Sequence, residues 1–232
     1  MEILPGGFTL TIEDGCFPLS TDSMSLSDFV RLPANARILD LGAGCGTLGL
    51  LLCAADPKVH VTGVEITENG HRAALKNIED NHLEGRMESL CRDLRQVPSF
   101  LKPGSFSLCI SNPPYFSGGP ASSRLKDARR EDLCSVSALF SAASWALKFG
   151  GDFYLVHRPE RLGELIAAGA EQHMECKRLR LLRHRQDGPV ALILLQFRKG
   201  GKPGLILDEI SLFDSLGKET EDYKRIYHME ET

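Results

Sequence analysis

The fold is decided by the stretch Arg37-Ile38-Leu39-Asp40-Leu41-Gly42-Ala43-Gly44-Cys45-Gly46. Its first half is a short apolar run that favours a buried strand, and glycine occupies every second position from 42 to 46. Apolar residues then recur at helical spacing until Asp56-Pro57 stops them. Because glycines let the backbone approach a ligand closely, this strand, turn and helix predict the first unit of a nucleotide-binding α/β sheet.

Strands and helices alternate through the rest of the chain, which predicts one doubly wound, mostly parallel sheet of seven strands. After 37–41, strands are predicted near 59–65, 87–91, 106–111, 153–156, 177–183 and 190–197. Helices are predicted near 24–30, 47–55, 68–81, 135–147 and 159–173, with a break at Gly150-Gly151. We expect residues 1–232 to form a single domain, with 1–35 as an N-terminal extension and 203–232 as a C-terminal tail.

Polar side chains end four successive predicted strands. They are Asp40, Glu65, Asp93 and Asn112. In open α/β sheets, ligands bind at the carboxyl ends of the strands, close to the point where the strand order reverses. Four polar strand ends in succession, with glycines beside the first, therefore predict a binding site at this edge.

The motif Asn112-Pro113-Pro114-Tyr115 follows the strand at 106–111 directly. Two prolines forbid the strand from continuing, so the Asn112 side chain and the Pro113 carbonyl are held at its end. A rigid amide oxygen and a rigid carbonyl suit the two hydrogens of a planar NH2 group, while an aromatic ring stacks on its ring system. This arrangement favours methyl transfer to adenine N6 or to an amide nitrogen, although the same residues also fit an ordinary Pro-Pro turn.

Two nucleotide cofactors fit the glycine turn. Gly44-Cys45-Gly46-Thr47-Leu48-Gly49 matches G-x-G-x-x-G, with Glu65 further along the chain, as in NAD enzymes. The run from Asp40, however, reads D-x-G-x-G-x-G, which is typical of S-adenosylmethionine (SAM) enzymes, and the NPPY motif favours SAM. Glu65 then accepts both ribose hydroxyls. Asp93 faces the adenine amine or caps a helix, and Asp40 lies near the methionine ammonium.

Composition excludes several classes of protein. The seven cysteines and seven histidines show no ligand spacing, so we predict reduced thiols and no metal site. No apolar run approaches the roughly 18 residues of a membrane span. We therefore expect a soluble, cytoplasmic protein without membrane partners, and we favour a monomer while leaving the oligomeric state open.

Positive charge is concentrated between Lys177 and Lys202. Eight Lys and Arg stand against one acid there, a net +7 that leaves −11 for the remainder of a chain whose total is −4. This favours an edge that tracks nucleic-acid phosphates, and Arg178, Arg180, Arg183 and Lys199 are candidate contacts. The alternative is an edge strand that uses cations to block aggregation. A second cationic cluster, Arg124, Lys126, Arg129 and Arg130, follows the NPPY motif.

With ILDLGAGCG, GVEI and ISNPPY in this order, the chain resembles class I SAM-dependent methyltransferases of the amino-methylating type. More narrowly, it resembles the bacterial family that N6-methylates adenosine 37 of tRNA(Val). The resemblance implies a Rossmann-like doubly wound seven-stranded sheet, mostly parallel with one antiparallel strand, and a tRNA substrate. It also implies roles for particular residues. SAM is bound by Asp40, Gly42, Gly44, Glu65, Asp93 and Asn112, and the base is handled by Asn112, Pro113, Pro114 and Tyr115.

Other functions remain open from the sequence. A protein glutamine methyltransferase would use NPPY equally well, but only 36 residues precede the first strand, where such enzymes generally carry a helical domain. A DNA adenine methyltransferase would usually need a target-recognition domain for which there is no room. A non-catalytic SAM- or RNA-binding module is a third possibility, and the intact NPPY motif argues against it.

Overall fold

The structure is a computed structural model that describes residues 2–12, 19–113 and 135–229. Ten strands occur in these ranges: β1 (Glu2–Ile3), β2 (Thr9–Leu10), β3 (Arg37–Leu41), β4 (His60–Glu65), β5 (Met87–Cys91), β6 (Phe106–Ser111), β7 (Leu147–His157), β8 (Met174–Arg185), β9 (Val190–Lys199) and β10 (Ile206–Phe213). The α-helices are α1 (Thr21–Phe29), α2 (Thr47–Ala55), α3 (Glu68–Asp80), α4 (Val97–Phe100), α5 (Val136–Ala146), α6 (Leu162–Glu171) and α7 (Glu221–Ile226).

The main sheet has the order β5-β4-β3-β6-β7-β9-β8-β10. β9 runs antiparallel to both of its neighbours, and all other adjacent pairs in the described sheet are parallel. The strand order reverses beside β3, between β4 and β6, which is where ligands bind in open α/β sheets. The fold class is therefore confirmed, including the single antiparallel strand, whereas the count of seven strands is wrong because the described sheet has eight.

Helices cover both faces of this sheet. One core cluster joins α1, α2, α3 and α7 to one face, and a second joins α4, α5 and α6 to the other. Most strands are buried on both sides and read as continuous apolar runs, as is usual for parallel sheets. β1 and β2 form a separate two-stranded antiparallel hairpin, and Gly6 and Gly7 lie in the connection between them with positive φ.

The glycine pair at 150–151 does not separate the helix from the next strand, as the sequence predicted. β7 begins at Leu147, directly after α5, and continues through both glycines. Gly150 has φ +77°, and a Cβ on Gly151 would lie 3.0 Å from the Lys148 carbonyl and 3.1 Å from that of Ser107. The glycines therefore accommodate an irregularity in the β6–β7 pairing, which shifts register between Phe106 and Leu108.

The eighth strand comes from the segment 203–232, which carries eight acidic residues against three basic ones. β10 pairs with β8 in parallel, so β8 is an internal strand and neither sequence interpretation of it as an edge is correct. Arg180 donates to both carboxylate oxygens of Asp208 at 2.9 and 2.8 Å, and Arg183 donates to Glu209 at 2.8 Å. The cations of β8 thus pair with the acids of β10.

The other proposed phosphate contacts also have protein partners. Arg178 is 6 % exposed, donates to the Phe29 carbonyl at 3.1 Å and lies over the Phe29 ring. Burial lowers the pKa of its guanidinium. Lys199 donates to the carbonyls of Ser144 and Leu147 at 2.6 and 2.8 Å. These four side chains, Arg178, Arg180, Arg183 and Lys199, are therefore engaged within the protein and do not form a row of cations available to a phosphate backbone.

This arrangement makes Arg180 a stabilising residue. Arg180→Ala is expected to lower the free energy of unfolding by about 2 kcal/mol, because it leaves the mostly buried Asp28 and the partly buried Asp208 with one cation fewer. Urea unfolding measures the change. Arg185→Ala is the matched control, since Arg185 and its partner Asp187 are both largely exposed, and it should cost no more than about 0.5 kcal/mol. Equal effects of the two variants would contradict the assignment.

Candidate active site

The four polar strand ends predicted from the sequence lie on four adjacent strands, β6, β3, β4 and β5. The Ser111 hydroxyl donates to the Leu41 carbonyl at 2.7 Å, which ties the end of β6 to the end of β3. The Arg92 backbone N–H donates to the Glu65 carbonyl at 3.0 Å, which ties the end of β5 to that of β4. Asp40, Glu65, Asp93 and Asn112 therefore share one edge of the sheet.

The glycine turn is held against the end of β4. The backbone N–H groups of Gly42 and Ala43 both donate to the Val64 carbonyl, at 2.9 and 3.1 Å. Gly42 and Gly44 have φ +76° and +54°, and a Cβ built on either meets no other atom within 4 Å. Glycine is needed here for backbone conformation and not to avoid a contact within the described protein. The turn leaves open space beside two backbone amides, as an approaching ligand requires.

Glu65 connects the turn to the next helix. Its carboxylate accepts from the Gly44 N–H at 2.9 Å and from the Thr67 N–H and hydroxyl at 2.8 and 2.7 Å. A carboxylate offers about four acceptor positions, so three are used by this chain itself. Thr67, the N-cap of α3, was not singled out from the sequence, although a threonine directly before the predicted start of a helix is a recognisable capping signal.

Asp40 is the least satisfied group of the site. Its side chain is 1 % exposed, and neither carboxylate oxygen has a hydrogen-bond partner among the described residues. Burial, and secondarily the nearby Glu65 carboxylate, raises the pKa of Asp40 to about 7. A buried carboxylate of this kind is expensive to ionise unless a cation or a donor reaches it. The Asp40 carboxylate is therefore a binding position for a cationic or hydrogen-bond-donating group of a ligand.

Asp93 takes the helix-capping role. It is the N-cap of a short 3-10 helix, Leu94–Gln96, and accepts from the Arg95 backbone N–H at 2.9 Å. Both of its oxygens also accept from the Arg95 guanidinium, and these hydrogen bonds lower the pKa of the carboxyl. The capping interpretation of Asp93 is confirmed, while a contact with an adenine amine stays a prediction.

Asn112 lies one residue beyond β6 and is half-buried, and Pro113 after it is buried. The Asn112 Nδ2 donates to the Ser23 hydroxyl at 3.2 Å, which brings the start of α1 to the strand end. Ser23 lies in the first turn of α1, and its contact with Asn112 was not predicted. Pro114, Tyr115 and the cationic cluster at 124–130 lie outside the described residues.

His157 ends β7, the strand beside β6, and was not singled out from the sequence. It is buried, and its Nδ1 accepts from the Arg158 backbone N–H at 2.8 Å. Burial, followed by the nearby Arg161 cation, lowers the pKa of His157 to about 4. The imidazole is therefore neutral at physiological pH.

No group of three or more His, Cys, Asp or Glu side chains in the described ranges is arranged to hold a metal ion. Within the same ranges, no helix combines the length and apolar content that a membrane crossing requires.

The strand order with its single antiparallel strand, together with the glycine turn and the polar strand ends, defines a class I methyltransferase fold. The chain belongs to the methyltransferase small domain family, whose model matches residues 22–167.

Two curated relatives are named tRNA1(Val) (adenine(37)-N6)-methyltransferase. The protein from Shewanella halifaxensis is 32% identical over 152 residues, 65% of this chain and 61% of the relative. The protein from Vibrio parahaemolyticus is 28% identical over 214 residues, 91% of this chain and 87% of the relative. Among solved structures, one described as a predicted O-methyltransferase from Agrobacterium tumefaciens has a TM-score of 0.75 at 23% identity. It covers 90% of this chain and 96% of its own. The family model and the two curated relatives confirm the resemblance drawn from the sequence, and the solved structure confirms the fold.

Proposed function

We propose that this chain transfers the methyl group of SAM to N6 of adenosine 37 in tRNA(Val). The observation that carries the proposal is the strand-end Asn112-Pro113, fixed beside a glycine turn and a buried carboxylate on the neighbouring strand. Relatives that share most of the chain carry this activity in their names. A protein glutamine methyltransferase is not favoured, since none of the relatives described above has such a name.

The residues at this edge fit SAM. The methionine part of SAM carries an ammonium group. The buried Asp40 carboxylate, which has no hydrogen-bond partner among the described residues, is the group that needs a cation. Glu65 has about one acceptor position left and would gain another if a ribose hydroxyl replaced that of Thr67. The Gly42–Gly44 turn gives the backbone room to approach. When bound, SAM supplies an electrophilic methyl group on a sulfonium.

The remaining chemistry belongs to Asn112 and Pro113. The lone pair of an adenine amine is delocalised into the ring, which makes the nitrogen a poor nucleophile. Hydrogen bonds from its two hydrogens to the Asn112 side-chain oxygen and the Pro113 carbonyl favour a pyramidal nitrogen whose lone pair is available. Catalysis is then mainly positioning and electrostatics, and a strong base is not required. The buried, neutral His157 on the adjacent strand is consistent with such a site.

The base and the RNA are contacted by parts of the chain around this motif. Tyr115 is proposed to stack on the extruded base, which an anticodon-loop nucleotide allows at low cost. With the β8 cations paired inside the protein, the cluster of Arg124, Lys126, Arg129 and Arg130 becomes the main candidate for phosphate contacts. A tRNA substrate also implies a cytoplasmic location.

Glu65 should decide which cofactor binds. Glu65→Ala is expected to weaken SAM by roughly 1.5–3 kcal/mol, the usual range for hydrogen bonds to a charged group. The variant also loses the Gly44 hydrogen bond, one of three that hold the glycine turn against β4. Calorimetry with SAM and NAD side by side measures this. Thr67→Val is the matched control, since it keeps the carboxylate and should leave SAM binding within about threefold. Tight binding of NAD without any heat from SAM would contradict the cofactor assignment.

The substrate class is tested by incorporation of labelled methyl groups from SAM into total tRNA, total protein and genomic DNA from cells that lack this enzyme. We expect label in tRNA alone. Label in protein would instead establish the glutamine alternative, and the absence of label from all three would contradict a catalytic role.

A further inference from the structure

Asn112 is held by a helix from a distant part of the chain. Its Nδ2 donates to the Ser23 hydroxyl at 3.2 Å, across 89 positions of sequence. Ser23 is 6 % exposed and lies in the first turn of α1. Ser20, the N-cap of this helix, accepts from the Ser23 backbone N–H at 3.3 Å and lies 3.4 Å from the Ser23 hydroxyl. With the Ser23 hydroxyl donating to Ser20, a chain of hydrogen bonds runs from the amide to the helix cap.

The direction of these hydrogen bonds decides whether the Asn112 amide presents its oxygen or its NH2 group to Ser23. A primary amide has a donor end and an acceptor end that are nearly the same shape, and its terminal torsion is broad and roughly two-fold. If Nδ2 points to Ser23, Oδ1 lies in the same amide plane on the other side of the Cβ–Cγ bond and points away from Ser23. If the amide turned over, its NH2 would face the NH2 of the substrate, and two donors would oppose each other.

The helix that carries Ser23 is itself anchored from the C-terminal segment. Asp28 accepts from Arg180 of β8 at 3.3 Å and from Arg225 of α7 at 2.9 Å. The hydroxyls of Thr21 and Tyr227 lie 2.8 Å apart. These contacts hold both ends of α1, so the position of Ser23 relative to β6 is set by the fold and not by the strand end alone.

We propose that Ser23 is a positioning residue that orients the Asn112 amide with its oxygen toward the substrate amine. This inference rests on the proposed methyl transfer and adds a residue from α1 to it. Ser23 does not touch the reacting atoms. Its hydroxyl accepts one amide hydrogen of Asn112 and donates its own hydrogen to the Ser20 hydroxyl.

Steady-state kinetics of Ser23→Ala, Ser23→Thr and Ser25→Ala test this assignment. Ser23→Ala should lower kcat roughly 10-fold, about the effect of one lost orienting hydrogen bond, while KM for tRNA and Kd for SAM stay within twofold. Ser23→Thr keeps the hydroxyl and should restore most of kcat. Ser25→Ala is the matched control, because Ser25 is equally buried in α1 and its hydroxyl has no partner among the described residues.

A double-mutant comparison separates positioning from a general structural effect. In an Asn112→Ala background, Ser23→Ala should lower the residual rate no further, since the amide that it orients is gone. A full additional 10-fold loss would overturn the proposal, as would a kcat for Ser23→Ala equal to that of Ser25→Ala. If the wild-type enzyme methylates no tRNA, the proposed function is wrong, and the positioning role of Ser23 falls with it. If the wild-type enzyme is active and Ser23→Ala has the same kcat, only the positioning role of Ser23 is wrong.

Discussion

Replacement of Asn112 by alanine is expected to reduce kcat for tRNA methylation by at least about 10²-fold, roughly 2.7 kcal/mol of transition-state stabilisation. The change removes the amide oxygen that would accept a hydrogen from the substrate amine. Stopped assays with saturating SAM and tRNA measure kcat, and calorimetry measures SAM affinity on the same preparations.

The SAM affinity of Asn112→Ala should stay nearly intact, because the proposed cofactor contacts centre on Asp40, Gly42, Gly44 and Glu65. Asn112→Asp keeps the shape of the side chain and an acceptor oxygen, so it should lose less activity than Asn112→Ala. An Asn112→Ala variant that retains most of the wild-type kcat would refute the mechanism.

Asp40→Asn should have two large effects of opposite sign. The folded-state pKa of Asp40 is about 7, above the usual 3.8, so the wild-type protein binds more protons folded than unfolded between these values. Its stability without ligand should therefore fall as pH rises from about 4 to 7, by at most on the order of 4 kcal/mol. Asp40→Asn removes this loss and should be the more stable protein at pH 8.

Binding of SAM should respond in the opposite way. A bound ammonium favours the ionised carboxylate, so wild-type affinity should rise with pH up to about 7 and then level off. Asp40→Asn should weaken SAM roughly 10- to 100-fold at pH 8 and flatten the pH profile between 5.5 and 8.

Urea unfolding of the free protein and SAM titrations across this pH range measure both effects. Asp80→Asn, on an exposed face of α3 and paired with Lys76, serves as a control that should change neither. Stability that does not vary between pH 5 and 8 would show that Asp40 is not the buried, uncompensated acid described here.

Local sequence patterns were sufficient for most of the sheet. The strands at 37–41, 87–91 and 106–111 were predicted with the bounds that the structure has. The first and the last are largely apolar runs closed by glycine or by Asn112 and two prolines, and the strand at 87–91 ends two residues before Asp93. Since parallel strands end at a common edge, these bounds also predicted that Asp40, Glu65, Asp93 and Asn112 would lie together.

The failures concern features that depend on distant partners. β10 begins with exposed apolar residues followed by acids and was taken as part of a tail, because its parallel pairing with β8 and the burial of Ile210 and Leu212 depend on distant parts of the chain. The same pairing makes β8 internal, which a charge count along the chain does not reveal. Gly150 and Gly151 were taken as the break between the helix and the next strand, whereas β7 already begins at Leu147 and passes through both glycines, and its pairing with β6 and β9 is not encoded locally.

Within the site, the sequence identified residue types more reliably than their roles. Glu65 was expected to bind the ribose, which stays a prediction, and in the structure it accepts three hydrogen bonds from Gly44 and Thr67 that were not predicted. The contact between Ser23 and Asn112 joins residues 89 positions apart, and nothing local in either segment encodes it.

The central claim is most directly tested by nucleoside mass spectrometry of a tRNA(Val) transcript after incubation with the enzyme and SAM. We expect one N6-methyladenosine per transcript, mapped to position 37, and none in a transcript with guanosine at that position. Methylation that persists in the guanosine transcript, or a methylated nucleoside other than N6-methyladenosine, would contradict the account.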